Sequence, residues 1–309
     1  MNAIFVDPSM DDATRRQALY DGQLIVYSPR PTSLALSAFA REMSEQAFGA
    51  RDPRHAQHSM PVEEYAATLA ALKPKFIHHP TVKTLMQAML RDFGCDPEAT
   101  YFDVPRLRTA TAGGYLTSGI AYAFHPHRDT WYSAPFNQIN WWIPVYDIEP
   151  NNAMAFHLRY WDRPVRNGSR DYNYAEWTRT SRVSAAQHVK TDTRPQPKPE
   201  EPVELDPQVR LICRAGGVIL FSAAHLHSTV PNTSDSTRFS IDFRTVHVGD
   251  VRERRGARNV DSACTGTTMG DYLRVTDLAH LPSELIEAYE REPAATTVVG
   301  GVPAGVAGG

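Results

Sequence analysis

Two short segments, far apart in the chain, carry side chains that could hold a metal ion: His125-Pro126-His127-Arg128-Asp129, and His225-Leu226-His227 followed by Pro231-Asn232 and Arg238. In an extended segment side chains alternate between faces, so His127 and Asp129 point the same way. A histidine from a distant strand, His227 or His225, can close a 2-His-1-carboxylate face around one ion. Such a face leaves coordination positions open and suits non-haem Fe(II), which must also bind a cosubstrate and O2. His127 is the first-choice ligand because it forms the His-x-Asp unit, and His125 is read as packing beside the site. A lone His-x-Asp pair is a weak signal in a chain with 12 His and 35 acidic residues. The elements around it decide its weight.

Gly119–Phe124 reads as a buried strand running into the pair, and Gln138–Tyr146 as a second strand rich in aromatic and β-branched residues. Gly216–Phe221 reads as a strand ending just before the distal histidines. Ligands at strand ends, at the mouth of a barrel, would be held rigidly.

The run from Gly216 through Phe221, His227, Pro231-Asn232 and on to Arg238 resembles the C-terminal signature of phytanoyl-CoA dioxygenase-like enzymes, which are Fe(II)/2-oxoglutarate-dependent oxygenases. That signature is a Gly-Asp turn, an apolar strand ending in Phe, a His, Pro-Asn-x-Ser, then Arg; here Gly217 replaces the Asp. Asp147–Phe156 resembles the family's next turn and strand, but His157–Trp161 replaces its Pro-Gly-Ser-His segment. The resemblance covers roughly residues 10–250. Counting from the glycine turn and from Pro231-Asn232 favours His227 over His225, which then reads as a neighbour or substrate contact. The resemblance implies that 2-oxoglutarate chelates the metal while Arg238 grips its far carboxylate.

Arg238, Ser240, Asp242 and Arg244 would share one face of a strand whose other face carries Phe239, Ile241 and Phe243. A polar face opposite an apolar one fits a ligand cavity inside and helices packed outside. A guanidinium grips a carboxylate with two parallel hydrogen bonds. Arg238 could instead simply pair with Asp242, and Arg244 is the runner-up for the same role or a substrate anchor. On the strand at 138–146, Gln138, Asn140 and Trp142 are the expected inward set, with Asn140 and Trp142 as cosubstrate contacts; Ile139, Trp141 and Ile143 are the alternative. Trp131 and Tyr132 are candidate substrate walls, and Arg106, Arg108 and Tyr122 candidate further contacts.

The chain has 309 residues, enough for one large core. A formal net charge of −3 argues against nucleic-acid or anionic-membrane partners driven by bulk electrostatics. Cys95, Cys213 and Cys264 follow no metal or disulfide spacing, so free thiols in a reducing compartment are expected. No signal peptide and no apolar run of transmembrane length is apparent. The expectation is a cytoplasmic monomer or homodimer acting on a small molecule.

The expected fold is mainly β with flanking α: a double-stranded β-helix (jelly-roll, cupin-like) barrel with N-terminal helices packed outside. One oxygenase domain would span 1–291. It divides into a helical part at about 1–98, a barrel at about 99–250, an insert or lid at about 158–206 and an extension at 251–291; 292–309 reads as a disordered tail. In the helical part, Ser9 with Asp12 could cap a helix ending near Gly22, and 23–27 reads as a strand. Apolar spacing predicts helices around Leu36–Ala47, over 62–73 and from Pro80 to Gly94. Strands are expected at 99–109, 119–126, 138–146, 153–157, 209–213, 217–222 and 238–247. The aromatic stretch Asp171–Trp177 could close over a substrate, or be a solvated excursion. The proline-rich part beyond it should be extended, and the arginines between 252 and 258 read as wet surface.

The expected activity is oxidation of a C–H bond of a small metabolite, an amino acid or natural-product intermediate, using Fe(II), 2-oxoglutarate and O2. In halogenating relatives a small residue replaces the carboxylate ligand; Asp129 fills that position, so hydroxylation, desaturation or cyclisation is favoured. The competing readings are a metal-dependent hydrolase or isomerase on the same barrel, and a binding protein with a relic site.

Overall fold

A computed structural model of the protein describes residues 2–116, 125–180 and 196–291. The expected strand at 119–126, Tyr122, most of the linker after the aromatic stretch and the tail at 292–309 fall largely or wholly outside that set.

In chain order the elements begin with β1 (Ile4–Val6), α1 (Asp12–Tyr20), β2 (Leu24–Tyr27), α2 (Pro31–Phe48), α3 (Val62–His78) and α4 (Pro80–Asp92). They continue with β3 (Thr100–Phe102), β4 (Arg106–Ala110), β5 (Ile139–Pro144), β6 (Met154–Phe156), α5 (Tyr174–Thr180) and β7 (Val209–Arg210). The last are β8 (Val218–Ser222), β9 (His227–Thr229), β10 (Arg238–His247), α6 (Val248–Glu253), β11 (Leu273–Arg274) and α7 (Ser283–Arg291). Several boundaries differ from expectation. Asp11, not Ser9, caps α1, because its extended backbone lets its carboxylate accept the Thr14 amide at 2.7 Å. α3 continues through Pro74 to His78, since its core face carries on through Leu72 and Phe76. The strand expected over 99–109 breaks in two around Pro105, which has no N–H for a ladder.

The strands form two sheets. The larger has eight strands in the order β1-β2-β8-β5-β10-β3-β11, with β4 also paired to β10; the smaller is β7-β6-β9. All pairs are antiparallel except β1 with β2. This is the double-stranded β-helix frame, which does not close fully into a barrel among the described residues. Period-two alternation sorts the large sheet. Tyr27, Trp141, Ile143, Leu220, Phe239, Ile241 and Phe243 face outward into a core shared with Leu36, Leu69, Phe76, Met86 and Leu90 of α2, α3 and α4. Inward, Trp142, Ile219 and Phe221 meet Met154 and Phe156 of the smaller sheet. The helices therefore cover the outside, and the space between the sheets is left for a site.

Candidate metal centre

Reciprocal backbone hydrogen bonds of 2.9 Å join His127 and His227 as an isolated antiparallel bridge. Directly opposed residues of a bridge send their side chains to the same face; the two rings lie 4.4 Å apart, centroid to centroid. The backbone stays extended through Arg128 (φ −108°, ψ 142°), so the alternation that brings Asp129 onto this face holds. Asp129 itself is not on a strand: it opens a short 3-10 turn running to Tyr132. Asp129 Oδ1 is 3.5 Å from His127 Nε2 and 3.9 Å from His227 Nε2, and one ligand atom of each residue lies within 4.8 Å of the others.

The ring nitrogens are assigned by their partners. His127 Nδ1 donates to the His125 carbonyl at 2.8 Å, and His227 Nδ1 to the His225 carbonyl at 3.0 Å. In the neutral form of each ring Nε2 is then the unprotonated atom, and it faces Asp129, as metal binding requires. Burial, with His127 nearby, pushes His227 down to about 4, so its ring is neutral at neutral pH. Burial raises the Asp129 carboxyl, but the His127 contact, the two imidazoles and the Asn140 amide outweigh it and hold the group at about 2. Asp129 Oδ2 accepts from Asn140 Nδ2 at 2.8 Å and from Gln138 Nε2 at 3.2 Å, which leaves Oδ1 for an ion. Gln138 also donates to Asn140 Oδ1 at 2.8 Å and accepts the Tyr272 hydroxyl at 2.7 Å. Asn140 thus braces Asp129 while it lines the same cavity.

The first histidine of each pair contributes its carbonyl, and its ring goes elsewhere. His225 is fully buried, with Nε2 3.1 Å from the Gly22 carbonyl and its ring 4.5 Å from that of Trp161. It does not line the cavity. Gly22 has φ +86°, and a Cβ there would come within 2.4 Å of the Trp161 ring, so this corner accepts only glycine. His125 Nε2 lies 2.9 Å from the Pro197 carbonyl, at the edge of the site and outside the cavity lining.

Between His127 and Asp129, Arg128 turns the other way and is 1% exposed. Its Nε donates to Asp261 at 3.0 Å, and its other nitrogens to the carbonyls of Ala224, Tyr160 and Arg163. Asp261 also accepts the Trp131 indole N–H at 2.7 Å and the Val165 amide at 2.9 Å. Trp131 is therefore no substrate wall: it is wholly buried among Tyr160, Val165 and Leu226. Neither Arg128 nor Asp261 was picked out from sequence, where Asp261 sits in an unremarked loop.

Asp129, His127 and His227 open into a cavity of about 400 Å³ that also takes in Trp142, Tyr132, Arg238 and Arg244. Arg238 is 7% exposed and donates from Nη1 to the carbonyls of Asn152 and Ala153 at 3.1 and 3.3 Å. Its guanidinium carbon sits 5.5 Å from the centre of the Trp142 ring. Its Nε has no hydrogen-bond partner, and no carboxylate pairs with it among the described residues. The alternative pairing with Asp242 fails because Asp242 is taken by Arg108 at 2.8 Å and by Arg244 at 3.6 Å. Burial lowers Arg238 to about 10, opposed by the charge of Asp242. A buried guanidinium with an orphaned donor is a ready receptor for a carboxylate. The residues present therefore fit both a divalent ion and a dicarboxylate.

The family model for phytanoyl-CoA dioxygenase matches residues 21–240. The chain belongs to the phytanoyl-CoA dioxygenase family. Membership makes it an Fe(II)- and 2-oxoglutarate-dependent enzyme, and the fold is the one the family uses. No curated protein sequence matches the chain. Among solved structures, EvdO2 from Micromonospora carbonacea var. aurantiaca complexed with 2-oxoglutarate is 11% identical, over 78% of this chain and 92% of that one, with a TM-score of 0.45. The epimerase SnoN in complex with Fe3+, alpha ketoglutarate and nogalamycin RO is 14% identical, over 76% and 85%, with a TM-score of 0.38. AviO1 from Streptomyces viridochromogenes Tue57 is 14% identical, over 77% and 96%, with a TM-score of 0.36. Among the described residues no helix is long and apolar enough to cross a membrane.

Proposed function

We propose that this family member oxidises a C–H bond of a small metabolite, an amino acid or natural-product intermediate, with His127, Asp129 and His227 holding Fe(II) and Arg238 holding the far carboxylate of 2-oxoglutarate. The observation that carries the reading is the meeting, in one cavity, of three converging ligand atoms and a buried guanidinium lacking a carboxylate partner. Iron, 2-oxoglutarate and O2 together would supply the oxidising power.

The chain's own residues bind, orient and exclude water. The His125 and His225 carbonyls fix the tautomers of the two ligand rings, and Asn140 and Gln138 fix the carboxylate rotamer. Trp142 forms a wall beside Arg238, a geometry that would align a bound dicarboxylate between guanidinium and metal. Tyr172, Tyr174 and Trp177, from the aromatic stretch, line the same cavity and would shield the reacting carbon from water. Because Asp129 occupies the carboxylate position, the reading favours hydroxylation, desaturation or cyclisation over halogenation.

Anaerobic titration of the metal-free protein with Fe(II) and then 2-oxoglutarate tests this. The expected result is the weak visible charge-transfer band of a chelated 2-oxo acid, lost in Asp129→Ala and His227→Ala and weakened in Arg238→Gln through a higher 2-oxoglutarate Kd. Metal binding without any such band would overturn the cosubstrate assignment and favour metal-dependent hydrolysis or isomerisation.

A further inference from the structure

The turn that carries Asp129 leans on the C-terminal extension of the chain. Asp261 holds both Arg128 and Trp131. Ser262 Oγ donates to the Thr130 carbonyl at 2.6 Å, and the Thr268 amide to the Ser133 carbonyl at 3.0 Å. At Gly256 the two backbones touch, since a Cβ there would come within 2.7 Å of the Phe136 carbonyl. All of these supports lie beyond residues 21–240, the part that the family model matches.

One side chain of the extension reaches the bracing of Asp129 itself. Tyr272 follows a short 3-10 turn, Thr268–Asp271, and precedes β11, whose Leu273 pairs with Phe102 of β3. It is wholly buried among Tyr101, Val246 and Met269, outside the cavity lining. Its hydroxyl lies 2.7 Å from Gln138 Oε1. An ionised carboxylate only accepts hydrogen bonds, so Asp129 Oδ2 needs the N–H groups of Asn140 and Gln138. With its amide nitrogen committed to Asp129 and Asn140, Gln138 has only its carbonyl oxygen for Tyr272, and the phenol donates. Burial, then the charge of Asp103, push that phenol well above its ordinary value, so it keeps the proton it donates. The opposite orientation of the Gln138 amide would set oxygen against oxygen at Asp129. A chain of hydrogen bonds with one direction therefore runs from Tyr272 through Gln138 to Asp129, with a branch through Asn140.

We infer that Tyr272 is a positioning residue for the metal centre, acting through Gln138 to keep Oδ2 of Asp129 engaged so that the carboxylate meets an ion with Oδ1 alone. A carboxylate can hold a metal with one oxygen or with two, and the second oxygen takes up a coordination position. Holding it back keeps that position open for cosubstrate or O2, which a 2-His-1-carboxylate face requires. The extension thus contributes to the metal centre without touching it.

This inference rests on reading His127, Asp129 and His227 as the Fe(II) face, and its test separates the two. Tyr272→Phe, Gln138→Leu and the double variant of the full chain are compared anaerobically, by equilibrium dialysis against Fe(II) and by the visible band formed on adding 2-oxoglutarate. Urea unfolding checks that each variant is folded. Tyr272→Phe should weaken Fe(II) binding by about fivefold, the scale of one hydrogen bond, and Gln138→Leu by about tenfold. The double variant should bind no more weakly than Gln138→Leu, because the hydroxyl then has nothing to act through. Both single variants should move the band to longer wavelength, since a carboxylate released from hydrogen bonds gives more charge to the iron; loss of packing alone would not move it. Fe(II) affinity within about twofold of wild type in Tyr272→Phe, an equal loss from Tyr272→Phe with and without Gln138, or an unmoved band would overturn the assignment. Should Tyr272→Phe not fold, Gln138→Leu decides alone: wild-type affinity and band refute the relay, and weakened affinity with a shifted band supports it. If the wild-type protein binds no Fe(II), the reading of the metal face fails instead. If it binds Fe(II) and forms no band, only the cosubstrate assignment fails, and the affinity cycle still decides the role of Tyr272.

Discussion

The two histidine pairs, His125/His127 and His225/His227, look alike in sequence and share one device: the first residue lends its carbonyl to orient the ring of the second. They differ in what surrounds the first ring. His225 is packed into the interior against Trp161 and Gly22, where burial and the nearby charge of Arg128 lower it to about 3. His125 is half-buried at the cavity edge, held by Pro197 and Tyr132, and burial and His127 bring it to about 4. One arm of the centre is thus built into the core, and the other rests against the segment that follows the aromatic stretch. The difference teaches that a ligand pattern says which residues converge but not which part of the fold stabilises each arm.

The largest expected effect strikes both arms equally. Removing His127, Asp129 or His227 as alanine should cost more than about 100-fold in Fe(II) affinity, beyond what loss of a supporting group costs; equilibrium dialysis against Fe(II) measures it. Retention of near-wild-type affinity in any one would break the proposed triad.

Next comes the clamp at Arg128, between His127 and Asp129. Arg128→Met leaves Asp261 buried without its cation, which should cost about 3–5 kcal/mol in urea unfolding. A cost below about 1 kcal/mol would mean that Trp131 and the Val165 amide suffice for Asp261.

A smaller effect should separate the arms themselves. His225→Ala opens a hole in packed core and should cost about 3 kcal/mol, whereas His125→Ala should cost about 1 kcal/mol or less. Their pH dependence sharpens this. Both rings have pKa values depressed on folding, so their stabilising contribution is complete above the ordinary histidine value of about 6.5. It is lost as pH falls, because the unfolded chain then binds a proton that the folded ring refuses. The window should extend down to about 3 for His225 and close near about 4 for His125. In metal-free protein His225→Gln should therefore flatten the acid limb of the stability curve, at up to about 1.4 kcal/mol per pH unit, more than His125→Gln does; equal flattening would erase the distinction.

The mildest change is Asn140→Ala. It frees the Asp129 rotamer while Gln138 still donates, and should weaken Fe(II) binding by about tenfold with unfolding little altered.

Much of this architecture was legible in the chain. The alternation in Arg238–Arg244 foretold a polar inner and an apolar outer face, and Phe239, Ile241 and Phe243 do pack against the helices. The spacing of Leu and Met residues foretold α2 and α4, because a helix turns on a fixed period whatever it packs against. Local pattern misled where a long-range partner decides. Trp131 closely follows the His-x-Asp unit and reads as substrate wall, but a carboxylate from the distant loop at Asp261 draws it into the core. Asn140 was correctly placed facing inward, yet its amide is claimed by Asp129.

By itself the sequence determined residue types, periods and faces: a His-x-Asp unit, a pair of distal histidines, two arginines on a polar strand face, and the family signature that contains them. Those follow from backbone geometry, which acts over a few residues. Counting along the chain favoured His227 over His225, but only the tertiary structure turns the His227 ring toward Asp129, through its bridge to His127. It alone withheld a carboxylate from Arg238 by assigning Asp242 to Arg108, and it alone set Tyr272 against Gln138. Charge pairing and desolvation depend on distances through space, and strands remote in sequence supply them.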